Sequence, residues 1–397
     1  MITLSKSAGT AGSIKASPED FIVREILPSG TVLLEGKSYL PQELSDAEDP
    51  SGKFVKFVLQ KREWDTTHAL ITLAKLLHRG RKSIGYNGSK DRVSISVQLA
   101  SIFGASPEEL MRVRLPGISI NCAWRSACGV GIGGSIGNSF TAVIRECSNA
   151  QAAVETLSEL NGSIPNYFDS QRFGTRMNNA DIGICIMRGD FEAAALKFLT
   201  DTQFETNKES IQARERLRED MDFAEALKYF PKQLRNERTV IEHLSRYGNY
   251  ANAMRRIPRG ILLMFIHAVQ SAVFNSSLEA RIRASDFSTE RKCARSQYGF
   301  PQPELQGNDF ALSNLVGSQT RAESIDAYER EALDSLGVEP DDFKVKSMPE
   351  LCTKGSLRAL LAPVLGLRAQ VGERSVTLNF SIPSGTYATV LLKEITK

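Results

Sequence analysis

The sequence predicts an α+β protein in which one domain interrupts another. Three observations carry that prediction. Strand patterns fill the first third of the chain, helical stripes fill the middle, and strand alternation returns near the C-terminus. The first and last segments can then pair in one sheet, since chain termini often lie close together. At 397 residues there is room for two domains of about 100–200 residues each. The expected division is an outer domain over 1–164, an insertion over 165–355, and a returning segment of the outer domain over 356–397.

Taken in order, Phe21–Ile26 and Phe54–Leu59 are rich in β-branched and aromatic residues and read as strands. A polar loop with Pro and Gly separates them. Thr66 or Thr67 can cap a helix with a stripe of Leu70, Leu73, Leu76 and Leu77, and Gly80 can end it. Val93, Ile95, Val97 and Leu99 alternate with Ser94, Ser96 and Gln98, which predicts a strand with one apolar face. A glycine-dense stretch, 129–137, leads into a strand over Thr141–Arg145. Beyond Asn161 the patterns turn helical: Asp190–Leu199, Ser210–Tyr229, Arg235–Tyr247 and Gly260–Ala284. Phe300–Gly317 reads as loop-rich, and Arg321–Leu336 as a polar, exposed helix. Val376, Leu378, Phe380 and Ile382 then alternate with polar residues. Pro383-Ser384-Gly385 makes a turn, and Tyr387–Leu392 reads as the partner strand.

A net charge of +3 gives no global argument for nucleic acid. The distribution says more. Residues 53–92 hold ten Lys or Arg against three acids, whereas 318–350 hold nine acids against four bases. Such asymmetry suggests one face for a polyanion, or simply solvated faces. The six Cys and four His are scattered, with neither zinc spacing nor a disulfide framework, so the thiols read as structural. The first residues lack an apolar signal core. The longest apolar run, Ile261–Ile266, is too short to span a bilayer. A soluble, reducing, cytoplasmic setting is expected.

Asp91 is the most informative residue. Gly88-Ser89-Lys90-Asp91-Arg92 puts one carboxylate beside two cations, where a glycine-containing loop enters a strand. A strand can hold a reactive group rigidly while the loop leaves it open. The same Asp could be a turn former. Lys90 is its neighbour, so on extended backbone it points the other way, and any charge partner must come from elsewhere. The glycines of 129–137 lack the Walker spacing and are not followed by a helix, so they suit close backbone approach or a bulge rather than a nucleotide cofactor. Asn138 and Phe140 share a strand face. An amide for a base edge beside a ring for stacking suits one unstacked base, although a turn Asn followed by a core Phe fits equally. In 166–174, Phe168 and Phe173 read as core, and Arg172 either binds phosphate or braces the domain. In 264–275, Gln270 and Asn275 read as internal hydrogen-bonding groups of a buried helix.

These segments together resemble the TruD family of pseudouridine synthases. The matching stretches run in the family's order: Lys15-Ala16-Ser17-Pro18-Glu19-Asp20-Phe21-Ile22-Val23-Arg24-Glu25, Gly88-Ser89-Lys90-Asp91, Gly137-Asn138-Ser139-Phe140, Pro165–Gly174, Ala268–Asn275 and Pro383–Thr389. The resemblance implies a mixed-sheet pseudouridine synthase catalytic domain, interrupted by a largely helical insertion. It makes Asp91 the nucleophile and Lys15 its charge partner. Phe21, Asn138, Phe140 and Tyr387 would bind the substrate base. Asp169 departs from the family's usual glycine, which leaves the role of 166–174 open.

The implied reaction is isomerisation of uridine to pseudouridine at position 13 of tRNA. An N-glycosidic bond breaks, the base turns, and the link re-forms through carbon 5. No redox partner or group donor is needed, so no cofactor and no metal is expected. The base must leave its stack, at a cost of a few kcal/mol that stacking and edge hydrogen bonds offset. Asp91 could attack ribose carbon 1, stabilise the developing positive sugar, or add to the base. Lys90, Arg92, Arg172, Arg255 and Arg256 would contact the RNA backbone. Two other readings fit less of the sequence. One is an RNA-binding protein or chaperone with a vestigial site; the other is a nucleoside hydrolase that releases free uracil.

Overall fold

The computed structural model describes residues 1–44 and 48–397. The chain forms two compact units. One gathers Thr3–Asn166, Ala294–Gln302 and Leu361–Lys397; the other gathers Met1–Ile2, Tyr167–Cys293 and Pro303–Leu360.

The strands in chain order are β1 (Ser13–Ile14), β2 (Phe21–Ile26), β3 (Phe54–Arg62), β4 (Ile84–Tyr86), β5 (Ile95–Phe103), β6 (Ile118–Ser126), β7 (Gly137–Arg145), β8 (Ser163–Pro165), β9 (Lys292–Arg295), β10 (Pro301–Gln306), β11 (Phe310–Leu315), β12 (Ser356–Ala359), β13 (Leu361–Pro363), β14 (Leu365–Val371) and β15 (Ser375–Pro383). In the first unit one large sheet runs β14-β15-β7-β2-β5-β3-β6, with β1 also on β7 and β4 also on β5. The β2–β5 pair is parallel and the other pairs are antiparallel, so the sheet is mixed. The returning C-terminal segment thus contributes two strands, and β15 pairs with β7 along its whole length.

Both faces of the sheet's centre are covered. One face packs Phe57, Leu59, Ala100 and Ile102 against Leu70 and Leu73 of the helix Thr66–Leu76. The other packs Val58, Val97 and Trp124 against Leu27, Leu33 and Tyr39. Each buried Val, Leu, Ile or Phe side chain among them contributes about 1.5–3 kcal/mol by leaving water. This double cover overturns one expectation. Ser96 and Gln98, which alternation assigns to a solvent face, are fully buried.

Four local expectations also change. The helix after β3 is capped by Asp65, which accepts from His68 N, rather than by either Thr. It stops at Leu76, before Gly80, because His78 takes the left-handed φ of 54°. The segment Ser210–Tyr229 is two helices, Lys208–Asp220 and Phe223–Tyr229, broken at left-handed Met221 and restarted by the Asp222 cap. Finally, Tyr387–Leu392 is not a strand. A helix covers Ala388–Thr396, and its buried Ala388, Leu391, Leu392 and Ile395 follow a three–four spacing.

The second unit is built mainly of helices around Ile182, Ile186, Phe198, Leu217, Val240, Ile241, Phe265 and Ile266. Its longest helix, Arg259–Ala284, is long and apolar enough by composition to cross a membrane, yet Leu262, Phe265, Ile266 and Val269 are spent on this core. Gln270 donates to Val316 O at 2.7 Å, and Asn275 bonds both backbone groups of Phe168. Residues expected to be loop-rich, 300–317, hold β10 and β11, and β11 pairs with β12. Phe168 is buried and Phe173 is only half-buried.

Candidate active site

Asp91 lies in the loop between β4 and β5, and buried polar groups hold that loop from below. Gln98 Nε2 donates to Gly88 O at 3.1 Å, and Thr66 Oγ1 donates to Gln98 Oε1 at 2.8 Å. Lys90 N donates to Thr66 Oγ1 at 2.9 Å. The Asp91 carbonyl accepts from Ser94 Oγ and from Lys61 Nζ, each at 2.7 Å. The backbone of the carboxylate-bearing residue is therefore fixed before any ligand arrives.

The Asp91 side chain is about a third exposed, and its Oδ2 lies 2.5 Å from Lys15 Nζ. Lys15 sits where β1 gives way to a short turn, in the left-handed region at φ 57°. A non-glycine residue held there costs on the order of 1 kcal/mol or more, so its surroundings must enforce it. They do so from both sides. Ile14 is in register with Ile144 of β7. Beyond Lys15, buried Asp20 accepts Ser17 N and a forked pair of bonds from Arg145. The Lys15 ammonium also lies 4.3 Å from the centroid of the Phe21 ring.

Beside this pair runs an aromatic row. Phe140 of β7 is in register with Val23 of β2 and Phe380 of β15. The Phe140 ring is 5.7 Å from Phe21 and stacks on Phe380 at 5.2 Å, with 14° between planes. Asn138, two residues earlier, faces Glu25 and Ile382. Its Oδ1 is buried and has no hydrogen-bond partner. A buried acceptor left unpaired is uncommon, and it suits a group waiting for a ligand donor.

The structure thus brings Asp91, Lys15, Phe21, Asn138 and Phe140 onto one part of one sheet. Tyr387 follows the end of β15, past the register where Ile382 meets Asn138, and begins the C-terminal helix. The cations divide. Arg92 is exposed. Lys90, expected on the RNA, turns inward instead: its side chain is 9% exposed and its Nζ lies 3.4 Å from Glu25 Oε2, itself fully buried. Alternation of extended backbone explains this, because Asp91 faces the open side. Lys56 and Lys61 are also buried, so the charge counted over 53–92 overstates its surface charge. In the helical unit, Arg255 pairs with Glu350 and donates to Ser347 O, Arg256 is exposed, and Arg172 lays its guanidinium 5.2 Å from the Phe168 ring. Asp169 is buried and precedes the short helix Ser170–Phe173.

Lys61, Thr66, Gln98 and Phe380 carry geometry that the motifs did not single out, and Glu25, inside the first motif, takes a role that the motif did not suggest. A period-two reading marks two of them: Phe57, Leu59 and Lys61 share one face, as do Phe21, Val23 and Glu25. Each places a charge at the end of an apolar row. Of the glycines of 129–137, Gly129, Gly134 and Gly137 allow close approach of protein, whereas Gly131 and Gly133 have open space around them. A Cβ on Gly134 would stand 2.4 Å from Asn87 Oδ1, and one on Gly85 would stand 2.2 Å from Val130 O. Asn87 Nδ2 in turn donates to Glu25 Oε1 at 2.5 Å.

The electrostatics are those of an anion between two lysines. Burial pushes the Lys61 ammonium down to about 8; the Asp65 and Asp91 carboxylates act against burial, and Lys90 adds to it. The arrangement can offer a carboxylate to an electron-poor carbon and an amide to a ring's edge, beside an aromatic row that is itself largely buried, Phe140 being 7% exposed.

Comparison with known proteins identifies the family. The family model of tRNA pseudouridine synthase D (TruD) matches residues 2–293 and 304–395. A Methanopyrus kandleri protein named "Probable tRNA pseudouridine synthase D" is 36% identical, over 87% of this chain and 86% of its own. A Methanosarcina acetivorans protein of the same name is 31% identical, over 98% of this chain and 93% of its own. A Methanosarcina mazei crystal structure, of the "Putative tRNA pseudouridine synthase D (TruD)", superposes with a TM-score of 0.74 at 28% identity, covering 100% of this chain and 96% of that one. This chain, with its mixed catalytic-type sheet and helical second unit, belongs to the TruD family of tRNA pseudouridine synthases.

Proposed function

We propose that this protein isomerises uridine to pseudouridine in tRNA, at position 13, with Asp91 as the reacting carboxylate. The observation that carries the proposal is the Lys15–Asp91 pair at 2.5 Å beside the Phe21–Phe140–Phe380 row. The target uridine leaves its stack and lies on Phe140, and the Asn138 amide bonds its edge. The unpaired Asn138 Oδ1 supplies an acceptor for the uracil N–H. Lys15 holds Asp91 as the anion, which is the form needed to act on ribose carbon 1 or on the base. The glycosidic bond to nitrogen 1 breaks, the base turns, and a bond from carbon 1 to carbon 5 forms. The carbon 5 proton leaves, nitrogen 1 is protonated, and the atoms balance with no co-reactant. Arg92, Arg255 and Arg256 are exposed cations suited to tRNA phosphates. Lys90 turns inward to Glu25, and Arg172 is half-buried beside the Phe168 ring, which supports a phosphate contact less than the exposed arginines do.

The test is incubation of the protein, and separately of Asp91→Asn, with unmodified tRNA, followed by mapping of pseudouridine at every uridine. Conversion at position 13 by the unaltered protein alone is expected. Tight binding without conversion refutes the proposal in favour of an RNA-binding role, and free uracil refutes it in favour of hydrolysis.

A further inference from the structure

Lys61 has no part in the chemistry just described, and its position is costly. It lies in β3 on the face of Phe57 and Leu59, fully buried, with Nζ 2.7 Å from Asp91 O. Burying a charge is costly unless it is closely paired, and the bond Lys61 makes is to a carbonyl rather than to a carboxylate, so an apolar side chain of similar length would remove that cost. The Asp91 carbonyl would keep its bond from Ser94 Oγ in that case. Stability alone therefore gives no reason for an ammonium here. The charged groups around it do. They are Asp91 and Lys90 from the loop and Asp65 from the cap of the helix Thr66–Leu76. The two carboxylates favour the ammonium, while burial and Lys90 oppose it.

We propose that Lys61 is a positioning residue for Asp91: its buried ammonium pins the Asp91 backbone and, together with Lys15, keeps the Asp91 carboxylate ionised once a base covers it. The proposal rests on Asp91 being the reacting carboxylate. A base stacked over the site removes the water that still reaches Asp91, and losing that water disfavours the anion. Lys15 stands on the open side and is itself partly exposed. Lys61 is already dry in the free protein, so its field needs no rearrangement when substrate arrives.

The experiment compares the full-length protein with Lys61→Met, Lys61→Gln and Asp91→Asn. It measures melting temperature, tRNA affinity and single-turnover pseudouridine formation across pH. Lys61→Met is expected to melt no lower than the unaltered protein and to bind tRNA equally well. Its rate near neutral pH falls about tenfold or more, and the acid limb of its profile moves to higher pH. Lys61→Gln, which keeps a polar donor but carries no charge, shifts the acid limb in the same direction. The unaltered protein loses rate as pH rises through about 8, where Lys61 gives up its proton, and Lys61→Met lacks that fall. An unmoved acid limb with normal rate in Lys61→Met overturns the proposal. So does a lowered melting temperature with unchanged rate, which would make Lys61 purely structural. Conversion by Asp91→Asn removes the reading beneath it as well, whatever the Lys61 variants do.

Discussion

Replacing Lys90 by Met separates a cation that holds the protein together from one that holds RNA. In the structure Lys90 Nζ lies 3.4 Å from Glu25 Oε2, with the two side chains 9% and 0% exposed. Glu25 Oε1 accepts from Asn87 Nδ2 at 2.5 Å and from Leu99 N at 3.2 Å. Oε2 has no hydrogen bond, so Lys90 is its source of compensation. Removing one partner of a buried pair typically costs about 3–5 kcal/mol. The satisfied Oε1 and the long pair distance place Lys90→Met near the lower end, at about 3 kcal/mol. For a unit of this size that is a melting shift of roughly 6–12 °C. Urea unfolding measures the stability, and tRNA affinity at several salt concentrations measures the phosphate contacts. The expected result is lost stability with an unchanged salt slope. A variant that unfolds like the parent, but whose log–log salt slope falls by about 1, would return Lys90 to the RNA interface and refute the packing argument.

Three further predictions follow from single contacts. Asn138→Ala is expected to change stability by less than about 1 kcal/mol, because its Oδ1 has no partner to lose, yet to cut pseudouridine formation about tenfold or more; a large melting shift with normal turnover would make Asn138 structural. Arg145 holds the Asp20 carboxyl below its ordinary 3.8, so the pair contributes stability above that value and loses it as pH falls through the lowered one. Asp20→Asn should therefore be less stable at neutral pH by about 1–3 kcal/mol, with the gap closing in strong acid; a gap independent of pH in unfolding curves would contradict this. Lys61 runs in the opposite sense. Burial brings it from 10.5 to about 8, so its penalty, roughly 3 kcal/mol, is present in full below pH 8 and is relieved as pH climbs toward 10.5. The stability advantage of Lys61→Met should shrink across that window, and a constant advantage in denaturant titrations would show that the ammonium is not the source.

What the sequence could determine by itself was local order and a spaced set of motifs. Strands at Phe21, Phe54 and Val376, the helices at Arg235–Tyr247 and Arg259–Ala284, and the return to β structure near the end are all written in short-range periodicity. Asp91, Asn138 and Phe140 were conspicuous because residue type and neighbours alone suggest their chemistry. Misreadings arose where a neighbour distant in sequence decides. The alternation around Gln98 points one face at water, but the second layer over the sheet buries it. Tyr387–Leu392 is apolar enough for a strand, yet β15 is already paired on both sides by β14 and β7, so the segment folds as a helix and buries its stripe. Lys90 and Asp91 are adjacent in the chain but serve opposite sides of it, one facing Glu25 and the other Lys15. Lys61 counts as one more surface charge in composition and becomes a dry cation 2.7 Å from the Asp91 carbonyl only when β3 packs beneath the loop. Burial and charge pairing are properties of two residues brought together through space. One-dimensional spacing reports which face a residue takes, whereas only the packed layers determine whether that face meets water, a counter-ion or a substrate.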